Sequence, residues 1–424
     1  MAGLVGQTLM GIADTLMVGQ VGVIPLAASS LVMNLFHLPM VFGFGMLSPV
    51  SVLTANAFGA KDSEQAGRVY RASAILTVST GTFLAILFMG FRWILPYLGQ
   101  PPEVVDAAGA YLWYLAPSLL PMLAGLTGKQ FCEALNHPWI PTLMMLGGVL
   151  LNILLNWVLI YGNLGFPAMG LEGAGLATLL ARIVTAVAII AWLMQSNSLA
   201  RFRTGSWRDP GNKLILRKLF KLGCPVSFQH LMEMGSFAFA ALMLGWIGAN
   251  ALAAHQIAFT CASTTFMFSL SLGMAASVRV GQALGAGLHR RVRRIGMVSF
   301  TTAIIVMSCF GCVFLFGGKT LVALFVDSGE VQALAVQLLL VAAVFQIFDG
   351  LQVTAISMLR GMQDARVPAV VAIVAYWIVA IPIASTLAFY LKKGALGIWI
   401  GLAFGLGVAA ICLTLRFHIK TRLR

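Results

Sequence analysis

Apolar stretches about twenty residues long recur along the whole of this 424-residue chain, separated by glycines, prolines and clusters of charge. A helix needs about 20 apolar residues to cross a hydrocarbon core, and these runs accommodate about twelve such helices. Composition agrees: 60% of the residues are hydrophobic, 9% are charged and the mean hydropathy is +0.93. A soluble domain would carry roughly 25% charge. The strands of a membrane barrel would alternate apolar and polar residues in short segments, and no such segments occur. The chain reads as an all-α polytopic membrane protein.

The spans are expected at 1–19, 24–58, 68–94, 107–134, 140–161 and 172–195, then at 221–247, 251–284, 292–317, 331–360, 367–391 and 394–418. The only long polar stretch, 196–220, divides them into an N-lobe over 1–195 and a C-lobe over 221–424, six helices each. The two halves repeat. Gly19 and Gly22, followed by Leu26-Ala27-Ala28, match Gly245 and Gly248, followed by Leu252-Ala253-Ala254, at an offset of 226. The same offset pairs Gly59-Ala60 with Gly285-Ala286 and Arg68 with Arg294, and Gly170 and Gly173 pair with Gly394 and Gly397 at 224. Two copies with an even helix count share one topology, so a pseudo-two-fold axis along the membrane normal is expected, with alternating access by rocking of the lobes.

The net charge of +14 comes from 27 Lys and Arg against 13 Asp and Glu. In a soluble protein that excess would suggest nucleic acid. Here the cations gather in alternate loops: Lys61, Arg68 and Arg71; Arg201 to Lys221 in the central stretch; Arg290 to Arg294; Arg360 and Arg366; and the tail from Arg416. This is the positive-inside pattern, which puts both termini and the 196–220 linker in the cytoplasm of a protein integral to the cell membrane. No nucleic-acid partner is expected. The first span shows no processing site of a cleavable signal. With Asp14 only thirteen residues from Met1, that helix reads as lacking its first turns.

Isolated acids stand out against this background. Asp14, Glu233 and Asp349 each lie within an apolar run. A charge at the bilayer centre costs at least about 2.5–3.5 kcal/mol, so such residues default to ion or proton sites facing a bundle interior or a water-filled cavity. For Asp14 the bland alternative is a helix-end residue at the interface; for Glu233 it is a structural hydrogen bond. His230 and Glu233, three apart, share one helix face, but a metal-binding bundle would need a second such pair. Gln346, Asp349 and Gln352 form a polar stripe on one greasy helix. Taking a carboxyl out of water favours its neutral form, so these acids can release or take up H+, or stay ionised by holding Na+; no metal beyond Na+ at Glu233 and Asp349 is expected, and no cofactor. Asn152 and Asn156, four apart, either line the cavity or join helices. Lys129 and Glu133 are spaced for a local ion pair, Arg182 for pairing or snorkelling, and His255 with Gln256 for the interface. The six cysteines are scattered, mostly within apolar helices, and Cys309 and Cys312, with redox spacing but no βαβ context, read as small buried hydrophobes.

Several segments resemble the MATE (multidrug and toxic compound extrusion) family, in particular its NorM-type branch. They are Asp14 to Gly19 with Leu26-Ala27-Ala28, Gly59-Ala60, Ala253-Ala254-His255-Gln256, the run from Ser271 to Gly281, and Asp349 to Gln352 with Leu359-Arg360-Gly361. The run from Ser271 to Gly281 is the most specific of these, and the resemblance covers nearly the whole chain. It implies two lobes about a central cavity and export of cationic, amphipathic organic compounds in exchange for Na+ or H+. It also matches Asp14 to the family's N-lobe acid, and Glu233 and Asp349 to its C-lobe cation-binding acids. The sequence departs from the pattern where Phe345 replaces an expected tyrosine and Thr260 an expected asparagine. Cavity residues for substrate are Asn152, Asn156, Gln346 and Gln352, and the chain is expected to work as a monomer. A flippase for lipid-linked precursors, from the wider superfamily, would want a cationic cavity where this sequence supplies acids. An intramembrane enzyme would need a nucleophile paired with a base, which is not found.

Overall fold

The computed structural model describes residues 2–202 and 205–422. Among them the chain is helical apart from short connections. Up to Ser227 it forms one compact unit, and from Phe228 a second. The first contains α1 (Ala2–Gly19), α2 (Val23–Leu47), α3 (Pro49–Gly59), α4 (Ser63–Gly90), α5 (Pro102–Leu115), α6 (Leu119–Ala134), α7 (Trp139–Tyr161) and α8 (Gly170–Gln195). The helix α9 (Pro210–Ile247) runs from the first unit into the second. The second then holds α10 (Ala249–Gly285), α11 (His289–Ala323), α12 (Gly329–Gly361), α13 (Arg366–Ile373), α14 (Ile381–Ser385) and α15 (Gly394–Arg422).

Ten helical segments of the described residues are long and apolar enough to cross a membrane, and the bent pair α5 and α6 makes an eleventh. The apolar part of α1, Met10–Gly19, is the twelfth and shorter element. Their outward faces carry large apolar side chains such as Phe83, Phe316 and Ile378, each at least 60% exposed, which suits hydrocarbon rather than water. Lipid offers no hydrogen bonds, so the backbone must satisfy its own, and a helix does so within one segment.

Prolines set the interruptions. Pro49 has no N–H to continue the ladder, and α2 gives way to α3 there, with the Ser48 N–H bonded back to the Phe44 and Gly45 carbonyls. Pro117 lies in the three-residue break between α5 and α6, which bend by 41° where a single span over 107–134 was expected. Between α13 and Gly394 the chain widens into π-helical turns over Val374–Ala380 and Thr386–Tyr390, on either side of Pro382. The Pro382 ring would collide with the carbonyl of residue 378 in an ordinary helix, and a wider turn relieves it.

The central polar stretch is shorter than expected. Helix α9 begins at Pro210, so the last eleven residues of 196–220 are its opening turns. The reason is amphipathy: Asn212, Ile215 and Leu219 are buried in the first unit, while Lys213, Leu214 and Arg217 face outward. Arg68 donates to Asp209 at 2.7 Å and Arg71 to Asn212 at 3.3 Å, fastening the start of α9 to α4. The Arg68 guanidinium and the Gly211 N–H hold the Asp209 carboxyl below the usual carboxylate range.

The sequence repeat is a repeat of backbone conformation. Gly22 and Gly248, which precede α2 and α10, share φ/ψ of 154/174° and 149/167°. Asn136 and Gln363 are left-handed at φ 64° and 60°, and Gly170 and Gly394 both sit at 56°. Gly173 and Gly397 each bring a helix against the backbone of the preceding one, where a Cβ would lie 2.5 Å from the Leu159 carbonyl oxygen and 2.7 Å from the Ala388 nitrogen.

Smaller expectations fare unevenly. Lys129 and Glu133 pair at 3.3 Å. Cys132 is buried and Cys224 and Cys261 partly so, but Cys309, Cys312 and Cys412 are exposed on outward helix faces, because an apolar thiol is as compatible with lipid as with a core. His255 is not interfacial. It is 3% exposed, beside Phe259, and accepts a hydrogen bond from the Trp399 indole at 3.2 Å, so a ring partner within the bundle outweighs the interface.

The Gly248 conformation is one that only glycine adopts without strain, at about 1–3 kcal/mol for other residues. Gly248→Ala is expected to lower the thermal midpoint of the detergent-solubilised protein by several degrees. Gly245→Ala, a helical position with open space around it, should leave it unchanged.

Candidate ion-coupling and substrate site

The seven polar residues singled out in the sequence fall into two groups, one in each unit. In the first unit Asp14 on α1 is turned into the bundle, where Asn156 on α7 donates its amide to the carboxylate. Asn156 also donates to the Asn152 amide oxygen at 3.3 Å, and Asn152 donates to the Thr178 hydroxyl on α8 at 3.3 Å. Both asparagines are fully buried, so they join α1, α7 and α8 in one polar chain. Arg182 on α8 pairs inward: it donates to Ser118 at 2.6 Å, lies 5.0 Å over the Phe36 ring and is close enough to Asp14 to interact with it electrostatically. Buried Tyr111 shares that field.

In the second unit α9, α12 and the π-helical segment converge. The Tyr376 hydroxyl donates to Glu233 at 3.1 Å and receives the Gln352 amide at 2.9 Å. Trp377, the next residue, donates to the Met232 carbonyl at 2.9 Å, which seats the segment on α9. The π-turn brings these two consecutive aromatic residues onto the same neighbour. His230 Nδ1 lies 3.8 Å from Glu233, and Arg360 donates to Gln229 at 3.0 Å and approaches His230 Nε2 at 3.4 Å. Asp349 is 5% exposed and makes no hydrogen bond among the described residues, although it lies within the field of Glu233. Gln346 turns aside and donates to Thr265 on α10, leaving its own carbonyl oxygen without a donor.

Tyr376 is the residue most easily missed in the sequence: it is an isolated hydroxyl in an apolar run, and only the π-turns aim it at Glu233. Thr178, Thr265, Gln229 and Ser118 were missed for a similar reason, since each partners a residue distant in the chain. The two departures from the family pattern have plain consequences. Phe345 is buried among Ala262, Tyr376 and Leu406, and the exposed Thr260 hydroxyl bonds the Gln256 carbonyl of its own helix. Among the described residues no three of His, Cys, Asp and Glu converge on one point.

Acids held inside a polytopic helical bundle define an integral membrane protein with a polar interior, and sequence comparison gives the class as a transporter. The profile of the MatE family matches residues 1–158 and 225–386, and the chain belongs to that family. It is 36% identical to "Probable multidrug resistance protein NorM" of Mesorhizobium japonicum over 433 residues, covering 99% of this chain and 91% of that one. To "Multidrug resistance protein NorM" of Burkholderia vietnamiensis it is 34% identical, covering 98% and 90%. Among solved structures, one described as "Crystal structure of MATE in the bent conformation" superposes with a TM-score of 0.92 over 100% of this chain and 93% of that one, at 23% identity. That likeness is one of fold.

Arg360→Ala is expected to leave buried Gln229 and partly buried His230 without their charged neighbour, costing about 1–3 kcal/mol of stability. Arg360→Lys should recover part of it. Urea or thermal unfolding of the purified protein would measure both.

Proposed function

We propose that this chain is a secondary active multidrug efflux antiporter, exporting cationic, amphipathic organic compounds in exchange for Na+ or H+ by alternating access. The names of its relatives support the multidrug reading. The observation that carries the coupling is Asp349, a carboxyl in a helix interior with no hydrogen-bond donor among the described residues, beside Glu233 and its Tyr376 and Gln352 partners.

Taking a carboxyl out of water disfavours its charge unless a partner stabilises it. Uptake of a proton or a cation at Asp349 and Glu233 removes that cost. Na+ would draw on the Gln346 carbonyl oxygen, which lacks a donor, and on the Gln352 amide; H+ would need neither. A bound ion shifts a conformational equilibrium only by its difference in affinity for the two states. In this mechanism the ion binds the state that releases drug more tightly, and the Tyr376 hydroxyl carries the change from α9 to α12 and the π-helical segment. Asp14, with Asn156 and Asn152, is the corresponding group of the N-lobe, and these two amides with Gln346 and Gln352, all fully buried here, are the polar residues that would meet substrate when the bundle opens. The charge pattern supports cytoplasmic termini, and the chain is taken to act as a monomer. The acids, as against a cationic cavity, favour this reading over a flippase for lipid-linked precursors.

Ethidium efflux from energised cells tests it, with Na+ and the pH gradient varied independently. Glu233→Gln and Asp349→Asn are each expected to reduce gradient-driven efflux to the level of cells lacking the protein, with membrane insertion intact. Normal efflux by Glu233→Gln would overturn the assignment. Collapse with the pH gradient alone identifies H+ as the coupling ion, and a requirement for Na+ identifies the metal cation.

A further inference from the structure

Beside the start of α9 lies an open cleft of about 370 Å³, lined by Leu76 and Ser79 of α4 and by Lys213, Leu216, Arg217 and Phe220 of α9. All six residues belong to the first unit, and the proposed coupling groups are elsewhere. The spacing is informative. Lys213, Leu216, Arg217 and Phe220 occupy one helical face, with the cations toward the N-terminal end and Phe220 beyond them. Lys213 and Arg217 are exposed and make no hydrogen bond or ion pair among the described residues. Their neighbours are provided for: Arg68 holds Asp209 and Arg71 holds Asn212 just before the cleft.

Depth follows from charge. Helix α4 carries Glu64, Arg68 and Arg71 at its start and then no charged residue from Ala72 to Phe91, about 30 Å at 1.5 Å per residue. That length matches a hydrocarbon core. Leu76 and Ser79 therefore lie about 6 Å and about 10 Å inside its edge, and on α9 the charges of Lys213, Arg217, Lys218 and Lys221 precede an uncharged stretch from Leu222. The cleft thus spans the boundary between headgroups and acyl chains. Its upper wall is two unpaired cations and its lower wall is Leu76, Leu216 and the half-exposed Phe220. The Ser79 hydroxyl donates to its own helix at Ile75 and Leu76, which leaves it free to accept a hydrogen bond.

We propose that this cleft is a binding site for an anionic phospholipid. The phosphodiester sits on Lys213 and Arg217, and the first methylenes of an acyl chain run over Leu76, Leu216 and Phe220. Phosphatidylglycerol carries the net negative charge that Lys213 and Arg217 attract, and phosphatidylcholine offsets its phosphate with its own choline cation. Basic pockets between membrane helices recognise anionic headgroups by this combination of charge and depth. A bound lipid would brace the opening turns of α9, the helix that also carries Gln229, His230 and Glu233.

The test uses the full chain purified in detergent, titrated with phosphatidylglycerol, phosphatidylcholine or soluble glycerophosphate while the thermal midpoint is followed and bound lipid is counted by native mass spectrometry. Phosphatidylglycerol is expected to raise the midpoint and to remain bound, and the other two are not. The double variant Lys213→Gln with Arg217→Gln should weaken phosphatidylglycerol binding about 30-fold, at about 1 kcal/mol for each cation near a surface. Lys392→Gln with Lys393→Gln, which removes two cations elsewhere, should bind like the parent. Equal binding by both double variants, equal stabilisation by phosphatidylcholine, or an equal effect of glycerophosphate would overturn the proposal.

Discussion

Inside a bilayer a polar side chain finds no water, and the arrangement of this protein follows from how each such group is met. A carboxylate, an amide or a guanidinium left alone there costs several kcal/mol. Asp14 is met by Asn156, Asn156 by Asn152 and Asn152 by Thr178, so one acid fixes the approach of three helices. Glu233 is met by Tyr376 and Tyr376 by Gln352, and a second acid ties α9, α12 and the π-helical segment together. These chains are long because each partner is itself polar and needs another. Asp349 is the exception among the three acids: it is buried and makes no hydrogen bond among the described residues.

Helix interruptions serve the same end. Successive side chains of a regular helix point about 100° apart, so a change of helical pitch alters which of them share a neighbour. In the π-turns before Pro382, Tyr376 and Trp377 both reach α9. The break at Pro117 places Ser118 where Arg182 needs an acceptor. Backbone that looks defective by propensity is therefore where the polar contacts are made. The fold repeats only its own scaffold: the glycine turns at 22 and 248 agree closely in conformation, while the polar chains of the two units use different residue types.

Much of this was open to a reader of the sequence. Apart from the start of α9, the apolar runs marked the spans to within about six residues, and Gly22, Gly248, Gly170 and Gly394 marked the repeat. The three acids were conspicuous because charge is scarce. The start of α9 was not legible, since Asn212, Lys213 and Arg217 look like solvent-facing linker until Arg68 and Arg71 of α4 are known to face them. Nor was the burial of His255, whose partner Trp399 lies 144 residues away.

The sequence by itself determined that this chain crosses a membrane as about twelve helices in two related halves with acids inside, because lipid tolerates only self-satisfied helical backbone and makes every internal charge conspicuous. Which polar residues meet was decided by tertiary structure alone. Tyr376 reaches Glu233 across 143 positions and Asn156 reaches Asp14 across 142, and no local periodicity encodes a contact at that separation. Pairing of that kind depends on how helices rotate and where they bend, which packing settles once the spans are in place.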